Sequence, residues 1–493
     1  MIYRLLKRQA QTHADKVAVV GERRALTYRG LLAAVDSAAA LLQGFGFEAE
    51  APVLIGIPPS PEFYIAFFAA CAVGATAIPV LPSGKIPQQI AKLKPVLALG
   101  DRAFLERAAS ACGGLRGTIV CDEKNGLRIP AAGRPFARRR SIRGERVVAV
   151  SSSGTTGEPT VTLQSAELLL QRAELKAAVV GIAPEDVLWS SRPFNNGSSI
   201  NNHVMVPLVK GCKIVVHEKF ERFKAAEAIV RERVTILYTV AFVFELLASI
   251  PASIPVDLSS LRLCISGGGP LSKSVYDRFY ARFGIGIRQR YGATQIIPAF
   301  TYNLAGVPGA VGQLSGPFPA AVLDERGREL GPEEMGEVVF DVSKFAPRWK
   351  KWFKENPHRR GKYIYTGDLG QIDAAGNLYI VGRKSALIKV GGNRVEPAEV
   401  ENTLRAHPKV VEALAFPLRA GEADEAVGAI VVRAPGLTPA ELQSWCAERL
   451  DGYKCPRKIL FRQSLPRNPH GKVVPAVFRS ADSFPRVGGE GDA

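Results

Sequence analysis

The chain has 493 residues, 47% of them hydrophobic, and its 64 lysines and arginines outweigh 46 acidic residues to give a formal net charge of +18. That length fills one large core and a smaller one, which sets aside small stapled scaffolds and disordered chains. The charge favours polyanionic partners or plain solubility, and nucleic acid is the weaker reading because no recognisable binding motif accompanies it. Seven cysteines, an odd number with no Cys-x-x-Cys pair, point to reduced, buried thiols in a reducing, cytoplasmic setting. The six histidines are scattered without the spacing of a zinc site.

The chain opens Met1-Ile2-Tyr3-Arg4-Leu5-Leu6-Lys7-Arg8, where charge interrupts the apolar residues too early for a signal peptide. Apolar periodicity predicts a helix over 29–42 and a core strand over 53–57. The run 63–81 is almost wholly apolar and nearly long enough to span a bilayer. Gly74, Thr76 and Pro79 divide it instead into a buried helix through Val73, a turn and a short strand through Leu81. A basic cluster, Arg138, Arg139, Arg140 and Arg143, precedes an apolar strand over 147–150. That strand runs into Ser151-Ser152-Ser153-Gly154-Thr155-Thr156-Gly157-Glu158-Pro159. Glycines let such a backbone turn its N–H groups toward an anion, and Ser and Thr hydroxyls add donors without bulk, so the segment is either a phosphate-wrapping loop or an ordinary surface loop. It lacks the Gly-Lys-Ser/Thr ending of the common nucleotide loop.

Helices over 165–180 and 223–233 and strands over 213–216, 236–238 and 261–266 continue an α/β pattern of helix-covered sheets. A second basic cluster, Arg348, Lys350, Lys351, Lys354, Arg359, Arg360 and Lys362, is a solvated face or a seat for phosphates. After Arg383 a smaller α+β unit follows, with helices over 397–406 and 439–449 and strands over 410–416 and 426–432. The tail from Ser480, rich in Gly and Asp, reads as disordered.

Four motifs follow the Ser/Gly loop in order. They are Tyr291-Gly292-Ala293-Thr294-Gln295, Tyr365-Thr366-Gly367-Asp368, Gly382-Arg383-Lys384-Ser385-Ala386-Leu387-Ile388-Lys389, and Pro466-Arg467-Asn468-Pro469-His470-Gly471-Lys472. With them the chain resembles the adenylate-forming superfamily of AMP-binding enzymes, in the manner of the acyl- and aryl-CoA synthetases, from Leu26-Thr27-Tyr28 to about Pro475. The resemblance implies an α/β fold with a large domain of helix-covered sheets over 1–382 and a smaller, mobile α+β domain over 383–479, ahead of the tail 480–493. It implies a ligase that uses ATP and magnesium to join a carboxylic acid to AMP, then passes the acyl group to CoA. The phosphopantetheine of a separate acyl carrier protein is the alternative acceptor.

Joining a carboxylate to ATP brings two anions together, so the site must supply cations and directed N–H groups where charge develops. By resemblance, Ser152, Ser153, Gly154, Thr155, Thr156 and Gly157 hold the β- and γ-phosphates, and Gly267, Gly268, Gly269, Tyr291 and Gly292 flank the adenine. Asp368 would accept hydrogen bonds from both ribose hydroxyls, with Arg383 supporting the same ribose. Lys472 would reach the α-phosphate during adenylation, and Thr294 and Gln295 would complete the catalytic set, Gln295 offering magnesium an oxygen. Ser385 takes the hinge position and Gly391 and Gly392 would line the pantetheine channel. The acid pocket would draw on Phe194, Asn195, Asn196, His203 and Ile296. No aspartate stands at Phe194-Asn195 to pair with an α-ammonium, so an aryl or aliphatic acid fits better than an amino acid. The asparagines at 195, 196, 201 and 202 either read polar groups on the acid or face solvent.

Three departures from the family pattern bear on the chemistry. The loop ends Glu158-Pro159-Thr160 where lysine is usual, Gln295 replaces glutamate, and Phe194-Asn195-Asn196-Gly197 replaces the usual histidine of the substrate segment, leaving His203 as the nearest alternative. The first two weaken the handling of ATP and magnesium, because a neutral amide adds no charge to a hard cation. Either Lys210 or Lys213 compensates, or adenylation is slow and the chain favours a preformed acyl-adenylate. On the second reading, Thr160→Lys combined with Gln295→Glu raises ATP-dependent turnover. Unchanged turnover in a steady-state AMP-release assay removes its physical basis.

Overall fold

The structure is a computed structural model that describes residues 1–46, 48–84, 86–122, 126–128, 146–151, 161–293, 296, 299–313, 317–391, 393–419, 425–465 and 467. It divides into two compact units, one of Met1–Thr239, Val243–Ile265 and Arg282–Gly286, the other of Val240–Phe242, Ser266–Ala281 and Ile287–Ala493. The architecture is mixed α/β, as expected. The loop at Ser152 to Thr160, the first basic cluster, Thr294, Gln295, Gly392, Lys472 and the tail 480–493 lie outside the described residues.

A seven-stranded sheet organises part of the first unit, in the order Gly126–Arg128, Gly117–Asp122, Leu97–Gly100, Pro52–Gly56, Thr76–Pro79, Arg146–Ser151, Val161–Ser165. The five inner strands are parallel and each outer strand closes an antiparallel hairpin. Parallel strands are buried on both faces, which is why Val53, Leu54, Ile55, Ala77, Ile78, Leu97 and Ala98 have almost no exposure. In the same unit Ile236–Thr239, Val187–Ser190, Lys213–Val216 and Val17–Val20 lie side by side in parallel, with Ala25–Thr27 antiparallel to the last.

The apolar run 63–81 resolves as the sequence implies. Its helix, Pro61–Val73, begins with the Ser60 hydroxyl accepting from the Phe63 N–H and with Pro61 in the first turn. It ends at Gly74, whose φ of 76° is the left-handed cap that a side chain disfavours. Helices Ile2–Thr12 and Tyr28–Gly44 pack on it, so the helix is buried nearly all round and needs no lipid. No helix among the described residues is long and apolar enough to cross a membrane.

In the second unit an antiparallel sheet runs Ala320–Leu323, Gly336–Asp341, Tyr363–Ile372, Asn377–Arg383, Gly312–Gln313. The second basic cluster is exposed beside this sheet, with Trp349 and Phe353 of the same segment turned into the core. The smaller C-terminal part has its own three strands, Val410–Arg419, Glu425–Arg433 and Lys458–Phe461. Helices Pro397–Arg405 and Pro439–Ala447 supply Val400, Leu404 and Leu442 to the core beneath them. Four of the seven cysteines are buried, and Cys71, Cys121 and Cys455 are half-buried; all seven are outside any disulfide.

Two glycines set the packing of the parallel sheet. A Cβ on Gly56 or on Gly100 would lie 2.4 Å from the ring of Phe104, which fills the space that both leave. Gly100→Ala therefore destabilises the protein by about 1–3 kcal/mol in chemical denaturation, whereas Gly113→Ala, which meets nothing, stays within about 0.5 kcal/mol of the parent.

Candidate active site

Two adjacent strands of the second unit carry the residues of the Thr-Gly-Asp and Gly-Arg-Lys motifs. Tyr363–Ile372 and Asn377–Arg383 pair antiparallel with Asp368 opposite Arg383. Gly367, at φ 73°, lies where the register against Gly336–Asp341 shifts. Asp368 is 5% exposed. Its Oδ1 lies 3.0 Å from Arg383 Nε, and its Oδ2 accepts a 2.6 Å hydrogen bond from the Tyr291 hydroxyl. The Asp368 N–H donates to Thr366 Oγ1, and that hydroxyl donates to the Val338 carbonyl.

Burial, and next the Asp368 charge, push the Tyr291 hydroxyl well above the usual phenol range. It therefore remains a donor, and its ring stacks on Phe340 at 6.4 Å and 11°. Sequence reasoning gave Tyr291 a place beside an adenine; the structure adds the bond to Asp368, which no motif spells out. The two oxygens of a carboxylate lie side by side and suit two neighbouring hydroxyl donors. A ribose diol has that geometry.

The remaining expected residues of this unit are spread along the same body. Gly267 ends the strand Leu263–Gly267 and is buried, Gly268 turns at φ 90°, and Gly269 is exposed. At Gly292 a Cβ would meet the Arg290 guanidinium at 2.6 Å, and Arg290 itself lies over Phe300. Ile296 is fully buried. Ser385 sits exposed in the short 3-10 turn Lys384–Ala386 directly after Arg383, and Gly391 is exposed at φ 56°.

The substrate segment of the first unit is more enclosed than its composition implies. Phe194 is 3% exposed and its ring meets Phe63, Tyr64 and His203. Asn195, Asn201 and Asn202 are buried and Asn196 is half-buried, so the solvent-facing alternative for the asparagines is set aside. Asn196 Oδ1 caps the short helix Gly197–Ser199, Asn201 Nδ2 donates to the Leu169 carbonyl, and Asn202 Oδ1 accepts from Lys176 at 2.8 Å. His203 lies in the π-helical turn Ile200–Met205 with Nε2 3.0 Å from the Tyr238 carbonyl. Burial first, and then the charge of Arg192, hold its pKa down to about 3, so it is neutral through the physiological range.

Sequence reasoning missed the buried Gln164, Arg172, Lys176 and Arg192 that accompany this segment. Their only signal is polarity inside otherwise apolar stretches. Lys213, one of the two lysines that could have replaced the missing loop cation, is committed to Glu232 through both its carboxylate and its carbonyl oxygen. Among the described residues no cluster of three His, Cys, Asp or Glu could hold a metal ion.

Residues 6–344 match the AMP-binding enzyme family, and residues 399–472 match the AMP-binding enzyme C-terminal domain. A 4-coumarate–CoA ligase of Humulus lupulus is 27% identical, over 92% of this chain and 88% of its own length. A long-chain-fatty-acid–CoA ligase of Mycobacterium tuberculosis is also 27% identical, over 92% of each chain. The crystal structure of ATP-bound MatB from Rhodopseudomonas palustris superposes with a TM-score of 0.84 at 25% identity, covering 97% of this chain and 98% of that one. With both family regions matched in order along the chain, this protein belongs to the AMP-binding enzyme family.

Proposed function

We propose that the chain is an acid–CoA ligase that activates an aryl or aliphatic carboxylic acid as its acyl-adenylate and transfers the acyl group to CoA. The observation that carries this reading is the Tyr291, Asp368 and Arg383 group, a nearly buried carboxylate aimed by two donors. Such a carboxylate suits a ribose diol, and the relatives named for CoA ligation support the thioester step. ATP, when bound, supplies the electrophilic phosphorus that the acid's carboxylate attacks. Asp368 would fix the ribose, and Arg383 and Tyr291 would orient its carboxylate.

The rest of the site is assigned by family position. Ser152, Ser153, Gly154, Thr155, Thr156 and Gly157 would take the β- and γ-phosphates, Gly267 to Gly269 and Gly292 the adenine, and Thr294 and Gln295 the adenylate and its magnesium. Lys472 would offset the negative charge built on the α-phosphate and bridging oxygen. Rotation about Ser385 would then bring Gly391 and Gly392 beside the pantetheine arm, with 383–479 as the moving domain and 1–382 as the fixed one. Phe194, Asn195, Asn196, His203 and Ile296 would line the acid. His203, neutral and turned to the Tyr238 carbonyl, would shape that lining without acting as a charged partner. A cytoplasmic location goes with the reduced thiols.

A second reading rests on the exposed basic cluster at Arg348 to Lys362, which complements an acidic carrier protein as readily as CoA phosphates. Supplying CoA and a phosphopantetheinylated carrier in parallel separates the two.

Asp368→Asn keeps the shape of the side chain and removes its charge. It lowers kcat/KM for ATP by about 10- to 100-fold, mostly through KM, with the fold intact by circular dichroism. The whole reading is tested by giving the protein aryl and fatty acids, ATP, magnesium and CoA, with AMP and acyl-CoA followed by mass spectrometry and synthetic acyl-adenylates run alongside. ATP-dependent acyl-CoA is the expected product. Thioester formed only from supplied adenylate would restrict the enzyme to the second half-reaction, and neither product from any acid would sink the proposal.

A further inference from the structure

We propose that Gln164 reads a hydroxyl group on the carboxylic acid substrate, a specificity role that rests on the ligase reading above and names its substrate class as hydroxylated acids. Gln164 lies on the strand Val161–Ser165, opposite Val148 in the strand that leads into the Ser/Gly loop. It is the one buried residue of its strand, with 0% exposure. Neither Oε1 nor Nε2 has a hydrogen-bond partner among the described residues. An unpaired amide in a protein interior is destabilising at both ends, and a leucine of similar size would fill the place without that cost. Such burdens on a fold concentrate where a protein meets what it binds, and the surroundings of Gln164 identify it as such a place.

The direction of the side chain says what. Its amide lies against Gly197, where a Cβ would stand 2.6 Å from Nε2, so the glycine is what admits it. Gly197 is in the middle of the segment 194–203 that the ligase reading assigns to the acid pocket. Two residues earlier, Asn195 is 8% exposed and its Oδ1 is also buried without a partner among the described residues. On the other side, Ser198 accepts from Asn202 Nδ2, and Asn202 Oδ1 accepts from Lys176. These bonds fix the short helix against which the Gln164 amide rests.

Turned either way, an amide presents one donor end and one acceptor end. A carboxylate on the ligand could only accept and would leave Oε1 unpaired, and an ammonium could only donate and would leave Nε2 unpaired. A hydroxyl accepts from Nε2 through its oxygen and donates its one hydrogen to Oε1, so it pairs with both ends. A site built to hydrogen-bond a hydroxyl rejects the analogue that lacks it far more strongly than an apolar pocket rejects an extra methylene, because the protein's own polar atoms are then left bare.

The test compares wild type with Gln164→Leu on matched acids: cinnamate and 4-hydroxycinnamate, benzoate and 3- and 4-hydroxybenzoate, octanoate and 8-hydroxyoctanoate. In wild type at least one hydroxylated acid exceeds its deoxy partner in kcat/KM by about 100-fold or more, and in Gln164→Leu that preference falls to within about 10-fold. The ligand-free leucine variant melts about 1–3 °C higher than wild type, a readout that needs no activity. A lower melting temperature in the variant would mean that the amide is bonded and structural, and an unchanged preference, or wild-type preference for the deoxy acid in every pair, would equally overturn the proposal. Absence of turnover with any acid counts against the ligase reading, and the melting comparison then decides the role of Gln164 by itself.

Discussion

A carboxylate taken out of water must keep its charge, and the second unit is arranged around that requirement at Asp368. Desolvation penalises the ionised form by several kcal/mol unless cations and donors replace the lost water. Here the replacement comes from Arg383 on the neighbouring strand and from the Tyr291 hydroxyl, while Thr366 fixes the backbone of Asp368 itself. The pairing of Asp368 opposite Arg383 is a matter of sheet register, and a slip by one residue would turn either side chain to the other face. The antiparallel sheet from Ala320 to Arg383 thus holds one charge in place, and the nucleotide chemistry proposed for the family signature depends on it.

Much of this order is legible from residues alone, for identifiable reasons. The parallel strands of the first unit announce themselves because burial on both faces demands continuous apolar runs, as at 53–57 and 213–216. The division of 63–81 follows from Gly74, whose left-handed conformation is written in its identity. The Asp368 and Arg383 pair was legible as two motifs, but not as a contact, since spacing along a chain does not give cross-strand register. The bond from Tyr291 to Asp368 spans 77 residues and has no local signature.

Buried polar side chains were the least legible part. Gln164 sits in a strand whose other residues are half-buried or exposed, so alternation gives no hint that the polar residue is the one turned inward. The asparagines at 195, 201 and 202 have the composition of a surface loop and the burial of a core. Polarity predicts exposure because most polar groups cannot find partners inside a protein, and the rule fails where a segment is built to meet a ligand or to hold a helix in an unusual form. The loss of the usual loop cation at Thr160 is legible, whereas the commitment of Lys213 to Glu232 needed coordinates.

The π-helical turn at Ile200–Met205 adds a further coordinate to the design of this chain. A π turn accommodates one more residue than an α turn over the same rise, so the side chains beyond it are rotated relative to those before it. Which neighbours Asn201, Asn202 and His203 meet is thereby fixed by the number of residues in the turn as much as by their identity. Insertion or deletion of a single residue in this turn re-aims the whole face while leaving the flanking strands Val187–Ser190 and Lys213–Val216 in register. Diversification in such a segment can proceed by length, a kind of change that an alignment of side-chain types alone does not reveal.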